Sequence, residues 1–181
     1  MQVTWSDEKH SIGVNAIDEQ HRELFLITNN LYASKELRLP ADRLMAMQTY
    51  LKRLYAYAHF HFATEEELMA NCGFPELEAH AGLHAGFKAE IRALMEDAKE
   101  GGEPKLDRLL DYLVHWIVFH VQDEDRKYAR FFREKGIEPV LHAVPGGGDR
   151  GRAVLALWQE KHLALEIQEI DAQHKALVLI R

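Results

Sequence analysis

Apolar residues recur at three- and four-residue steps along four stretches of this chain, and histidines and acids stand on those same stripes. A helix turns about 100° per residue, so positions four apart point to one side. The densest case runs from Tyr57 to His84. His61 and Glu65 lie four apart on one predicted helix. After the break Gly73-Phe74-Pro75, His80 and His84 lie four apart on the next. Two antiparallel helices joined by a short turn can aim three imidazoles and a carboxylate at the volume between them. That is the geometry of a metal site.

The rest of the chain supplies the walls. Residues 1–17 carry Trp5, Ile12, Val14 and Ile17 without a sustained period, and read as an extended arm anchored by Trp5. Asp18 is a good N-cap for a first helix to about Leu37, with Leu24, Ile27 and Leu31 as its stripe and Phe25 and Tyr32 alongside. His21 stands one turn above Leu24. After Pro40 a second helix resumes from Ala41 and runs to about Asn71 through Leu44, Met47, Leu51, Leu54, Ala58, His61, Glu65 and Leu68. Gly73 is placed to cap it and Pro75 to start the third, about Glu76 to Lys99, with Leu77, His80, His84, Phe87, Ile91, Leu94 and Met95 inward. Gly101, Gly102 and Pro104 precede a fourth, about Lys105 to Lys135, bearing Leu109, Leu113, Trp116, His120, Tyr128 and Phe131 and ended by Gly136. The expected fold is all-α: an up-down-up-down four-helix bundle over residues 1–136.

Residues 137–152, with Pro139, Pro145 and Gly146-Gly147-Gly148, read as a linker. Residues 153–181 then restate the arm and first helix at an offset of 153. Trp5, Ile17, Asp18, Gln20, His21, Leu24, Leu26 and Ile27 recur as Trp158, Ile170, Asp171, Gln173, His174, Leu177, Leu179 and Ile180. This reads as the opening of a second copy of the module. His174 is positioned to compete with His21, within one chain or between two by swapping, which would make a dimer. The tether of His21 favours His21.

Composition narrows the chemistry. The chain of 181 residues carries a formal charge of −7 with its basic residues dispersed, so nucleic acid and anionic membranes are poor partners. Cys72 is the only cysteine, which excludes an internal disulfide and multi-thiolate metal sites. No basic-then-apolar leader and no run of roughly 20 apolar residues is visible, so a cytoplasmic protein is expected. The unusual number is the 11 histidines.

His21, His61, Glu65, His80, His84 and His120 all fall on core stripes. One such histidine is ordinarily a hydrogen-bonded core residue. Six polar groups from all four helices are different, because each left unpartnered would cost about 1–3 kcal/mol. Imidazole with carboxylate suits iron, zinc or manganese, and so many ligands exceed what one tetrahedral zinc needs. Two metals bridged by carboxylates is the natural count. Periodicity leaves the last acid open: on a regular helix Glu124 lies nearest the His120 face, Asp123 next and Asp125 well off it. His59, His115, His10, His142 and His162 fall off the site face or outside the bundle helices and are not expected ligands.

Residues 1–136 resemble a bacteriohemerythrin, of the bacterial branch of the oxygen-binding hemerythrins. The motifs are Trp5 with Ile17-Asp18-Glu19-Gln20-His21, then His61-Phe62-Ala63-Thr64-Glu65-Glu66, then Gly73-Phe74-Pro75 with His80 and His84, and Trp116-Ile117-Val118-Phe119-His120 with Asp125. The resemblance selects Asp125 over Glu124, and an extra residue in one turn of the fourth helix would rotate Asp125 inward. It implies two non-haem iron ions: His80, His84 and His120 on one, His21 and His61 on the other, with Glu65, Asp125 and an oxo or hydroxo group bridging. O2 would bind at the open position of the two-histidine iron. Phe62 and Val121, next to ligands in sequence, and Leu24 and Trp116, one helical turn from them, are expected to form an apolar shell around the centre, or simply to pack the core.

The expected function is reversible O2 binding for storage, delivery or sensing, without catalysis. The alternatives are a di-iron oxidase or peroxidase, a redox- or oxygen-sensing interaction module, and a zinc site. Carboxylate-rich di-iron enzymes use Glu-x-x-His pairs, and no histidine here has a glutamate three residues before it.

Overall fold

The structure is a computed structural model that describes residues 3–99 and 106–139. Its helices are α1 (Asp7–His10), α2 (Asn15–Ser34), α3 (Pro40–Asn71), α4 (Leu77–Lys99), α5 (Leu106–Phe119) and α6 (Asp125–Lys135). A π-helical segment, His120–Glu124, joins α5 to α6, so these three make one long rod.

Two apolar clusters fix the topology. One holds Leu24, Leu31, Leu54, Ala58, Phe62, Phe87, Ile117 and Val121; the other holds Ile17, Leu68, Met69, Phe74, Tyr128 and Phe132. Helix α2 passes from the second cluster at Ile17 to the first at Leu24, and α3 returns from Phe62 to Leu68. Helix α4 leaves the second cluster near Leu77 for Phe87, and the α5–α6 rod comes back from Ile117 to Tyr128. Successive helices therefore alternate in direction, as expected of an up-down-up-down bundle. His21, His61, Glu65, His80, His84, His120 and Asp125 fall at the crossing of each helix from one cluster to the other. They form a buried polar layer between two apolar ones.

Helix boundaries differ from the expectation where the backbone found better partners. The arm is not extended throughout, because Asp7–His10 makes a helical turn. Asp18 does not cap α2, which begins three residues earlier at Asn15. Its buried carboxylate instead accepts hydrogen bonds from the Ser11 hydroxyl at 2.6 Å and the Ile12 N–H at 2.9 Å, stapling the arm to the first turn. An acid there also faces the positive end of the helix dipole. Helix α2 stops at Ser34, before Leu37, where the Ser34 hydroxyl bonds the Leu31 carbonyl.

Pro40 does not precede α3 but opens it, at a position whose missing N–H costs nothing. Gly73 ends α3 with φ +67, and the Phe74 N–H bonds the Met69 carbonyl while both side chains enter the second cluster. Pro75 lies in this turn rather than in α4, which starts at Leu77. Gly136, at φ +64, ends α6.

The loop with Gly101, Gly102 and Pro104 lies outside the described residues. So do residues 140–181, hence most of the expected linker and the whole expected repeat, with His142, His162 and His174. Among the described residues no helix is long and apolar enough to cross a membrane.

Candidate metal centre

The π-helical segment is the local feature on which the site turns. A π turn inserts one residue, so the face that follows it is shifted by one position. Without the insertion Glu124 and Phe131 would follow His120 inward. With it, Asp125, Tyr128, Ala129 and Phe132 are buried, Glu124 is half-buried, and Phe131 only packs against the cluster. The backbone thus carries the distortion expected to turn Asp125 inward. Phe131 as an inward residue is corrected to Phe132.

All seven candidate residues converge. Each is at most 3 % exposed. Their ligand atoms form two groups that share Glu65, one with His80, His84 and His120 and the other with His21 and His61, the atoms in each within 4.8 Å of one another. Asp125 spans the two: Oδ1 lies 3.4 Å from His80 Nε2 and 3.1 Å from His120 Nε2, while Oδ2 lies 3.1 Å from His21 Nε2. Glu65 Oε1 lies 3.5 Å from His21 Nε2, and Oε2 lies 3.5 Å from His61 Nε2 and 3.3 Å from His84 Nε2.

Outer partners fix which ring nitrogens face inward. His84 Nδ1–H donates to Glu66 Oε1 at 2.8 Å, and His61 Nδ1–H donates to Gln20 Oε1 at 3.0 Å. Both rings therefore turn an Nε2 lone pair into the site. Aromatic rings hold them there. Phe62 stacks on His84 at 3.8 Å between centroids, and Trp116 on His120 at 4.3 Å. Leu24 and Val121 are buried in the adjoining cluster. His59 and His115 are exposed. His10 is buried in the arm, where its Nδ1 accepts the Ser6 N–H.

The donor set fits a cation. His21 Nδ1 and Nε2, Glu65 Oε2, His80 Nε2 and both Asp125 oxygens are buried without a hydrogen-bond partner. So many unmet atoms around one volume would each cost about 1–3 kcal/mol, which coordination offsets. His84 Nε2 and His120 Nε2 lie 2.9 Å apart, close enough for both to face one cation.

Electrostatics point the same way. Burial pushes the His21 imidazolium down, but the carboxylates of Asp125 and Glu65 beside it outweigh burial and lift His21 to about 9. A proton there occupies the place a positive charge prefers. Burial holds His61 neutral, at about 3, against the pull of Glu65. Burial also pushes the Asp125 carboxyl up, yet His120, His21 and His80 more than reverse it and keep the carboxyl ionised.

Two partners are not evident from the sequence. Gln20 stands in the first motif without an assigned task, and Tyr128 reads as plain core. The Tyr128 hydroxyl donates to Glu65 Oε1 at 2.6 Å. The spacing of Tyr128 three residues beyond Asp125 is a signal for it, usable once the π turn is known.

The Hemerythrin HHE cation binding domain family matches residues 12–132. The chain is 30 % identical to a bacteriohemerythrin of Clostridium acetobutylicum over 125 residues, covering 68 % of this chain and 96 % of that one. It is 32 % identical to a bacteriohemerythrin of Stenotrophomonas maltophilia over 130 residues, covering 70 % and 79 %. A hemerythrin-like protein of Naegleria gruberi is 27 % identical over 122 residues, covering 67 % and 87 %. A solved wild-type hemerythrin structure shares the fold with a TM-score of 0.66 at 22 % identity, covering 72 % of this chain and 97 % of that one.

Proposed function

This chain belongs to the hemerythrin HHE cation-binding domain family, and on that premise we propose that it binds O2 reversibly at a non-haem di-iron centre. His80, His84 and His120 would hold one iron, and His21 and His61 the other. Glu65 and Asp125, whose oxygens face both histidine groups, would serve both ions. The observation that carries this reading is the pair of buried histidine groups sharing Glu65, with the oxygens of Asp125 divided between them.

When bound, the iron pair would supply two reducing equivalents and the site of O2 binding. The protein supplies the rest. Glu66 and Gln20 orient His84 and His61. Neutral imidazoles with only two carboxylates keep the local charge compact. Phe62, Trp116, Leu24 and Val121 exclude the water that would drain the centre by proton delivery. Storage, delivery and sensing all use the same site.

Iron analysis with the visible spectrum of anaerobically reduced protein, before and after air, tests the reading. Two irons per chain and a charge-transfer band that air brings and O2 removal abolishes is the expected result. Irreversible oxidation on first exposure would replace it with an oxidase or redox-sensor reading, and zinc alone would end it.

A further inference from the structure

Glu65 and Asp125 do not have like surroundings. Neither oxygen of Asp125 accepts a hydrogen bond. Glu65 Oε2 is likewise free of donors, but Oε1, the oxygen nearer His21, accepts the 2.6 Å bond from Tyr128. Tyr128 is fully buried, and its ring is held by Phe132 at 5.4 Å, His80 at 5.8 Å and Phe74 at 6.3 Å between centroids. The hydroxyl is the donor in that bond, because an ionised carboxylate oxygen only accepts.

Resting on the di-iron reading, we infer that Tyr128 is a positioning residue that makes Glu65 the weaker of the two bridges on the His21 side. A carboxylate oxygen that accepts a short O–H bond shares its lone-pair density and gives less of it to a cation. Asp125, with no such donor, binds both sides at full strength. The two-histidine side is thereby poorer in negative charge than the ligand count alone makes it. A poorer donor set favours the lower oxidation state, so Tyr128 protects the ferrous form. The π turn is what makes this possible, since it brings Asp125 and Tyr128, three apart on α6, to the same face as His120.

Tyr128→Phe removes the hydroxyl and leaves the ring. Wild type, Tyr128→Phe and Tyr50→Phe are loaded with iron and compared by iron content and midpoint potential. Tyr50 is a buried tyrosine in the first cluster, eleven residues and about 16 Å of helix before His61. The expected result is unchanged iron content in all three and a shift of about tenfold towards ferric in Tyr128→Phe alone, a potential ~59 mV lower for a one-electron step. Incorporation of 3-fluorotyrosine, a stronger donor, should raise the potential of wild type and of Tyr50→Phe, but not of Tyr128→Phe. This second arm decides the matter even if Tyr128→Phe folds poorly. Equal potentials across the variants, or no response to fluorotyrosine, overturn the inference while two irons per chain leave the site reading standing. A wild type that takes up no paired iron overturns both.

Discussion

On either side of the polar layer the bundle is built by area. Tyr50, Leu51, Leu54 and Leu113 in one cluster and Ile17, Leu68 and Met69 in the other are at most 1 % exposed. Each stabilises the fold by the apolar surface it takes from water, about 25 cal/mol per Å². Between them the rule reverses. Seven ionisable side chains are buried to within 3 % exposure, and several of their atoms have no partner. The apolar layers are self-sufficient, whereas the polar layer is complete only with a cation. The two regions should therefore fail differently.

The largest expected difference comes from Asp125→Ala set against Leu54→Ala. Removing Asp125 takes one contact from each half of the centre. Binding of paired metal should weaken by more than the ~100-fold that outer-partner mutations produce, as measured by metal analysis after equilibrium dialysis. Leu54→Ala should cost about 2–5 kcal/mol in denaturant unfolding and keep the full metal content. Full metal retention in Asp125→Ala would mean that the polar layer is not one unit, and the comparison would break.

Proton linkage separates the layers next, because only the polar one titrates. In metal-free protein His21, raised to about 9 from 6.5, contributes stability that is fully present below pH 6.5 and is lost as pH rises through 9. His61, depressed to about 3, has the opposite sign: stability falls as pH drops below 6.5. Metal-free protein should be most stable near pH 6.5 and weaken by a few kcal/mol on either side, on the order of 1.4 kcal/mol for each pH unit that separates the folded from the unfolded pKa. Metal displaces the His21 proton, so metal affinity should rise with pH between 7 and 9. Denaturant melts at pH 5, 6.5 and 9, with and without chelator, check both statements. A flat metal-free profile would mean that His21 carries no proton there.

The same contrast explains what is legible in the sequence. The apolar layers announce themselves by period, and so do six of the seven site residues, because His21, His61, Glu65, His80, His84 and His120 take positions that leucine would otherwise hold. Asp125 and Phe132 do not follow that period. A π turn leaves no mark in propensity, and it moves the inward face by one residue after His120. Only the resemblance points to Asp125, which the structure buries. Phe131 reads as inward in place of Phe132 for the same reason. Asp18 reads as a cap because a buried acid that binds a preceding loop looks in sequence like one that binds a following helix. The hydroxyl of Tyr128 is invisible, since an aromatic on an apolar stripe is normally packing and its acceptor, Glu65, lies 63 residues away.

The smallest expected effect marks where the polar layer ends. Glu66 accepts from His84, yet its side chain is 32 % exposed, whereas Gln20 offers His61 a neutral amide. The three-histidine side thus has a charged outer partner and the two-histidine side an uncharged one. Glu66→Gln keeps an acceptor and removes the charge, which water already screens. Metal affinity should fall by about tenfold, the low end for such partners, with unfolding of the metal-free protein nearly unchanged. Gln20→Glu should add charge on the other side and move affinity the opposite way. Isothermal titration with zinc reads both without redox chemistry. If Glu66→Gln instead cost as much as losing Asp125, the carboxylate of Glu66 would belong to the centre itself, and the polar layer would reach the surface of the bundle.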